Sequence, residues 1–216
     1  MLYHITNIQS FESIISNHPN GNLEFWVSHY KDMNDAHELE QLFRYEYDAN
    51  TIKFAPTVCE DYYILCFTEE PHLTFNHSHG DYGNIIMALD EKYLDNVRGG
   101  LIGICRYTDN NIVIPSRPTN IIDAISDFEN RTIRFYVKRK EWEHEKEWRL
   151  VLNQQPDEQL YPPRQGKQYG FLKRQFPHDI LKKVYIREDS ANLIDDVKNI
   201  LILNNSSIPI EILQSK

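Results

Sequence analysis

Apolar and polar positions alternate along Glu145–Leu152. In an extended chain Trp148, Leu150 and Leu152 fall on one side, and Glu145, Glu147 and Arg149 on the other. A basic segment precedes this stretch and a Pro-rich loop follows it. The pattern therefore predicts a half-buried strand whose charged face is either a solvated outer face carrying a Glu–Arg pair or the lining of a cleft. Similar patterns predict strands at Tyr3–Ile5, Leu23–Ser28, Tyr62–Thr68, Asn84–Asp90, Leu101–Tyr107, Phe171–Lys173, Lys183–Arg187 and Ile208–Leu213. Helical spacing is read in four places. Asn7 caps a helix with Phe11, Ile14 and Ile15 on one face. Asn34 or Asp35 caps a second, through about Tyr47, with Leu39, Leu42 and Phe43 inward. A third, broken once, runs from about Pro118 to Arg139. Ser190 caps the last, to about Leu203.

The strands are mostly not separated by regular crossover helices, and no linker or repeat interrupts them. The order predicts a single α+β domain over residues 1–216. That length suffices for a proper core. No apolar run approaches the roughly 20 residues of a membrane span, so no membrane partner is expected. Met1–Asn7 lacks the basic and apolar regions of a secretory signal. Cys59, Cys66 and Cys105 are unevenly spaced, and the last two sit in apolar runs, which suits buried thiols in a reducing cytoplasm.

Charge changes the picture more than composition does. The net charge is −9, yet residues 1–100 hold 5 Lys and Arg against 16 Asp and Glu, while the remainder holds 18 against 16. Arg131, Arg134, Lys138, Arg139 and Lys140 form one basic group, and Lys173, Arg174, Lys182, Lys183 and Arg187 another. The total argues against indiscriminate coating of nucleic acid, and the segregation leaves room for a local basic groove.

Three kinds of chemistry are weak on these residues. His77-Ser78-His79-Gly80-Asp81 opens like a metallohydrolase site, but Tyr82 follows where another His is usual, and only His144 and His178 lie downstream. No metal is expected, and the segment reads as a polar loop or substrate contact. The apolar flanks of Cys66 and Cys105 do not suit a nucleophile. No Gly-rich loop of the dinucleotide or P-loop kind occurs. What remains is His4 in the first strand, Ser28 ending the second, and Glu147 in the late strand.

These residues stand inside ordered blocks: Leu2-Tyr3-His4-Ile5-Thr6, Phe25-Trp26-Val27-Ser28, Asn34-Asp35 with Glu38, Cys66-Phe67-Thr68-Glu69, and Trp142 with Glu145 through Leu150. In that order they resemble a bacterial domain-of-unknown-function family with LYHYT, ND-x-x-E and EKEWRL blocks. Phe75-Asn76-His77-Ser78 departs from it, standing where Trp-x-His-Tyr is usual. The layout is in turn similar to ADP-ribosyltransferases of the DarT and RNA 2′-phosphotransferase type. That resemblance implies a split, bent β core flanked by helices and gripping NAD+ as co-substrate. It further implies a cytoplasmic toxin or phage-defence effector acting on a nucleic-acid or protein acceptor, with an antitoxin as a further partner. The alternative is a non-catalytic nucleotide- or protein-binding module on the same scaffold.

The same resemblance implies the residue roles. Glu147 is the carboxylate that stabilises an oxocarbenium-like ribose, and His4 holds a ribose hydroxyl across the same cleft. Tyr3, Thr6, Ser28, Asn34 and Arg149 contact the cofactor, with Arg149 either tethering Glu147 or binding phosphate. Glu145, His77 and Tyr82 face the acceptor. Tyr3, Tyr30 and Tyr82 are the candidates for stacking on nicotinamide.

Overall fold

The structure, a computed structural model, describes residues 1–16, 21–33, 43–46, 52–54, 62–72, 83–110, 112–114 and 134–214. In chain order these form β1 (Leu2–Thr6), α1 (Ile8–Ser16), β2 (Leu23–His29), β3 (Phe43–Glu46), β4 (Ile52–Phe54), β5 (Tyr62–Thr68), β6 (Ile85–Leu89) and β7 (Gly100–Ile104). There follow β8 (Arg106–Thr108), β9 (Ile112–Ile114), β10 (Val137–Arg139), β11 (Glu147–Asn153), β12 (Phe171–Phe176), β13 (Leu181–Arg187), α2 (Ile194–Leu203) and β14 (Ile210–Leu213). Helix and mixed sheet together bear out the α+β class. The chain divides into two compact units. Unit 1 is Met1–Val27, Cys66–Arg98 and Lys173–Lys216; unit 2 is Ser28–Leu65 and Gly99–Leu172.

Unit 1 is organised around β6. It pairs antiparallel with β1, from Leu2↔Leu89 to Thr6↔Ile85, and antiparallel with β13 on its other edge. All five of its residues are buried, as a central strand covered on both faces requires. β13 pairs parallel with β14, and α2 supplies the crossover that a parallel pair needs. Asn7 caps α1 as expected, its Oδ1 accepting from the Ser10 amide at 2.8 Å. Phe11, Ile14 and Ile15 form the buried stripe of α1, and Val197, Ile200 and Leu201 that of α2. Each such side chain contributes about 1.5–3 kcal/mol on full burial. The pairs on the surface, such as Lys183–Glu211 at 2.7 Å, are screened by water and contribute little.

In unit 2, β2 and β5 pair antiparallel at Ser28↔Ile64 and His29↔Tyr63. β11 pairs antiparallel with β7 from Trp148↔Ile104 to Leu152↔Gly100. β8 and β10 form a parallel pair, and β3 lies between β4 and β9. Opposite Arg149, Gly103 leaves room for the Tyr136 ring: a Cβ there would lie 3.0 Å from Cε1. The Tyr136 hydroxyl donates to the Leu101 carbonyl.

Several expectations are corrected. Phe43–Glu46 is strand rather than the end of a helix, although residues 34–42 lie outside the described part. The helical spacing over 118–139 gives way, where described, to a 3-10 turn at Arg134–Tyr136 and to β10. The spacing of Phe135 and Val137 fits an alternating pattern equally well, and pairing with β8 decides it. The strand expected over 101–107 is two, split at the buried Cys105. Ser190 does not cap α2; its hydroxyl donates to Asp189 at 3.0 Å, and a 3-10 stretch over Glu188–Leu193 leads into the helix instead. β11 begins at Glu147, because Lys146 adopts a left-handed conformation (φ 42°) that ends the 3-10 stretch Lys140–Glu145.

Gly83 has φ +108°, and a Cβ there would lie 2.1 Å from the Thr6 carbonyl oxygen at the end of β1. Gly83→Ala is expected to destabilise the protein by about 1–3 kcal/mol, combining backbone strain with a main-chain clash. Urea unfolding checks this, and an unchanged midpoint would show that the close approach is dispensable.

Candidate functional site

In unit 1, β1 carries His4 at the centre of a short face. Alternation puts Leu2, His4 and Thr6 on one side and Tyr3 and Ile5 on the other. Leu2 and Thr6 are buried, while His4 is half-buried. The imidazole meets Phe25 edge-on at 5.3 Å and Phe67 at 6.1 Å between centroids, and Phe176 in turn meets Phe25 at 5.5 Å. His4 Nδ1 lies 3.0 Å from the Cys66 carbonyl, which only accepts, so the hydrogen sits on Nδ1. Nε2 then carries the lone pair. Burial pushes the His4 pKa below its ordinary value, partly offset by the bond to Cys66. The result is a neutral imidazole of fixed tautomer set among aromatic rings.

The other residues of this unit expected to contact a cofactor are placed differently. Thr6 is buried at 6 % exposure and offers little to a ligand. Tyr3 faces away from His4 and tilts against Tyr185 at 6.2 Å; burial raises its pKa, with Tyr185 and Glu70 adding to the shift. A ligand seated on His4 is therefore not stacked by Tyr3.

Unit 2 holds the Glu147 cluster. Glu147 and Arg149 are two apart on β11 and share a face, so the guanidinium folds back on the carboxylate. Arg149 Nε donates to Oε1 at 2.8 Å and Nη2 to Oε2 at 3.1 Å, while Nη1 donates to the Phe135 carbonyl at 2.9 Å. Lys138 donates to Glu147 Oε2 at 2.9 Å and also to Glu145 Oε2. Its ammonium lies 5.3 Å from the Trp142 ring centroid. Lys138 and Tyr107 are register partners in the β8–β10 pair, and both reach Glu147; the Tyr107 hydroxyl accepts from the Glu147 amide at 2.7 Å. Burial pushes the Tyr107 pKa well above its usual value.

This corrects the expectation of a charged face open to a cleft. Glu147 is 6 % exposed, Lys138 5 % and Arg149 0 %. Among the described residues two cations meet two carboxylates, which is how such charges remain in an interior. Arg149 tethers Glu147; it is not set up to meet phosphate. The sequence reading missed Lys138 and Tyr107. Their signal was the period-2 position of each in a short strand, hidden in one case by the helical reading of 118–139.

Ser28 lies at the end of β2 in unit 2, and its hydroxyl accepts from Arg164 Nη2 at 2.8 Å. Tyr30 is buried against Phe135 and His29 and presents no free face for stacking. Asn34, His77 and Tyr82 lie outside the described residues, as does the rest of the His77–Asp81 loop. Among the described residues, no group of three or more His, Cys, Asp and Glu is arranged to hold a metal ion. Nor is any described helix long and apolar enough to cross a membrane. The second basic group is largely paired: Lys173 with Glu24, Lys182 with Asp90, Lys183 with Glu211 and Arg187 with Asp189. No protein-family model, curated protein or solved structure matches the chain.

Two outcomes follow from this chemistry. Glu147→Ala leaves Lys138 and Arg149 buried without a partner and should cost about 3–5 kcal/mol; Glu147→Gln, which keeps an acceptor, should cost less in denaturant titrations. The second concerns pH. His4 is neutral when folded and its pKa is depressed, so unfolding takes up a proton below the ordinary value of 6.5. The stability it contributes is complete above that pH and is lost as pH falls toward the depressed folded value. His4→Asn should flatten that part of the stability–pH curve, and an unaltered curve would place the titration elsewhere.

Proposed function

We propose that the chain is an NAD+-dependent ADP-ribosyltransferase or NAD+ glycohydrolase, acting as a toxin or phage-defence effector on a nucleic-acid or protein acceptor. The observation that carries this reading is His4: strand-borne, locked in one tautomer by the Cys66 carbonyl, with Nε2 able to accept from a ribose hydroxyl. Phe25 and Phe67, both buried, pack against the imidazole and fix its plane. In the reaction the nicotinamide–ribose bond breaks, nicotinamide leaves with the bonding electron pair, and C1′ becomes cationic until water or the acceptor attacks. An oriented hydrogen bond to the ribose helps when it strengthens as that charge develops. The resemblance gives the stabilising carboxylate to Glu147 and the acceptor-directing one to Glu145, and Lys138 and Arg149 hold Glu147 as an anion.

A second reading, a non-catalytic nucleotide- or protein-binding module, is favoured by the burial of Glu147 and the three hydrogen bonds that already occupy its carboxylate. Nicotinamide release measured by chromatography separates the two. Under the first reading the wild type releases nicotinamide from NAD+, and His4→Ala slows release by about 10²-fold, the order found when one oriented hydrogen-bonding group is removed from a reacting centre. NAD+ binding by calorimetry without release would support the second reading, and full activity in a folded His4→Ala variant would remove His4 from the site.

A further inference from the structure

The segment between β11 and β12 is held in an unusual way. None of residues 154–170 is buried, so apolar packing holds it only through the rings of Tyr161 and Tyr169. Its base is closed by Tyr161 and Phe171, which exchange both backbone hydrogen bonds (3.0 and 3.1 Å) and stack their rings at 5.4 Å. Gly170 lies tight against that base, where a Cβ would come within 2.6 Å of the Tyr161 carbonyl oxygen. Beyond the base, the chain carries Pro162, Pro163 and an open glycine, Gly166 at φ +78° with nothing within 4 Å of a Cβ.

Asp32 supplies most of the hydrogen bonds that pin this segment down. Asp32 Oδ1 accepts from the Gln168 amide and Oδ2 from the Tyr169 amide, each at 3.0 Å, and the Asp32 carbonyl accepts from Lys167 Nζ at 2.7 Å. The Tyr169 ring lies flat on His29 at 4.4 Å and 18°, and Lys31 sits 5.3 Å from the Tyr169 centroid. Arg164 adds its bond to Ser28 Oγ. All these anchors fall on residues 28–32, at the end of β2 and in the turn after it.

We propose that residues 162–170 form a strap, hinged at the Tyr161–Phe171 pair and latched by Asp32, which opens to uncover Ser28–Asp32. The hinge is a backbone pair that survives opening, and the latch is a set of polar bonds that water can replace. Beyond the Tyr169–His29 stack, opening costs little buried apolar area, so it occurs without unfolding of the strands. It frees the Ser28 hydroxyl and one face of the His29 ring, which is 2 % exposed when the strap is closed. The proposal does not depend on the NAD+ reading.

Hydrogen exchange read by mass spectrometry on the whole chain tests it. In the wild type, the peptide covering 164–170 should exchange with little dependence on denaturant, while β6 and β13 should exchange only through global opening. Asp32→Ala should speed the 164–170 peptide about tenfold and leave β6 and β13 unchanged, with Asp32→Asn falling between. Ser28→Ala, which removes only the Arg164 anchor, should have a smaller effect in the same direction. The proposal is overturned if 164–170 follows the denaturant dependence of β13, or if a folded Asp32→Ala variant exchanges there like the wild type. Should Asp32→Ala fail to fold, the wild-type denaturant dependence decides alone.

Discussion

Arg149 has no exposed surface, and a guanidinium in that position must have its charge matched and its donors filled. Much of unit 2 is arranged to meet that demand. β11 supplies Glu147 two residues before Arg149, and the Phe135 carbonyl takes a further donor. β10 brings Lys138 in to balance the second carboxylate, and β8 brings Tyr107 to the amide of the same glutamate. The left-handed turn at Lys146 lets Glu145 and Glu147 approach one ammonium from the two sides of a bend. Strand register, turn geometry and charge balance are therefore one constraint, and no member can be altered alone.

His4 in unit 1 is the contrasting case. Its polar contact is a single carbonyl, and its neighbours are aromatic edges rather than opposite charges. A neutral imidazole tolerates that setting, whereas a carboxylate would not. The Glu147 carboxylate is occupied by Lys138 and Arg149, while among the described residues the His4 ring keeps a nitrogen lone pair available. That difference makes His4 the stronger starting point for ligand recognition, and it gives the Glu147 cluster an evident role in holding unit 2 together.

The elements with clean periodicity were legible in the sequence: β1, β2, β5, β6, β13 and the Asn7-capped α1 were expected within a residue or two. Their apolar faces decide the structure before tertiary contacts add anything. The failures share a physical cause. Phe43–Glu46 and Val137–Arg139 are short strands, each with at least one partner distant in sequence (β9 and β8), so local spacing favours a helix that pairing then overrides. The charged face of β11 read as solvated because Glu and Arg are rarely buried; the compensating Lys138 sits in another strand, and no local pattern announces it. The surroundings of His4 and Glu147, aromatic rings in one case and a charge cluster in the other, have no local signature in the chain.

The division of the chain into units bears on how it is made. Unit 1 draws on three separated segments, the last of them Lys173–Lys216, whereas every residue assigned to unit 2 precedes Lys173. The β6 edge that β13 will occupy must wait while the 99–172 stretch is synthesised. During translation unit 2 has all its residues available first, and one edge of a wholly apolar strand, paired with β1 on its other side, is open until β13 emerges. That interval is when the nascent chain is most exposed to mispairing.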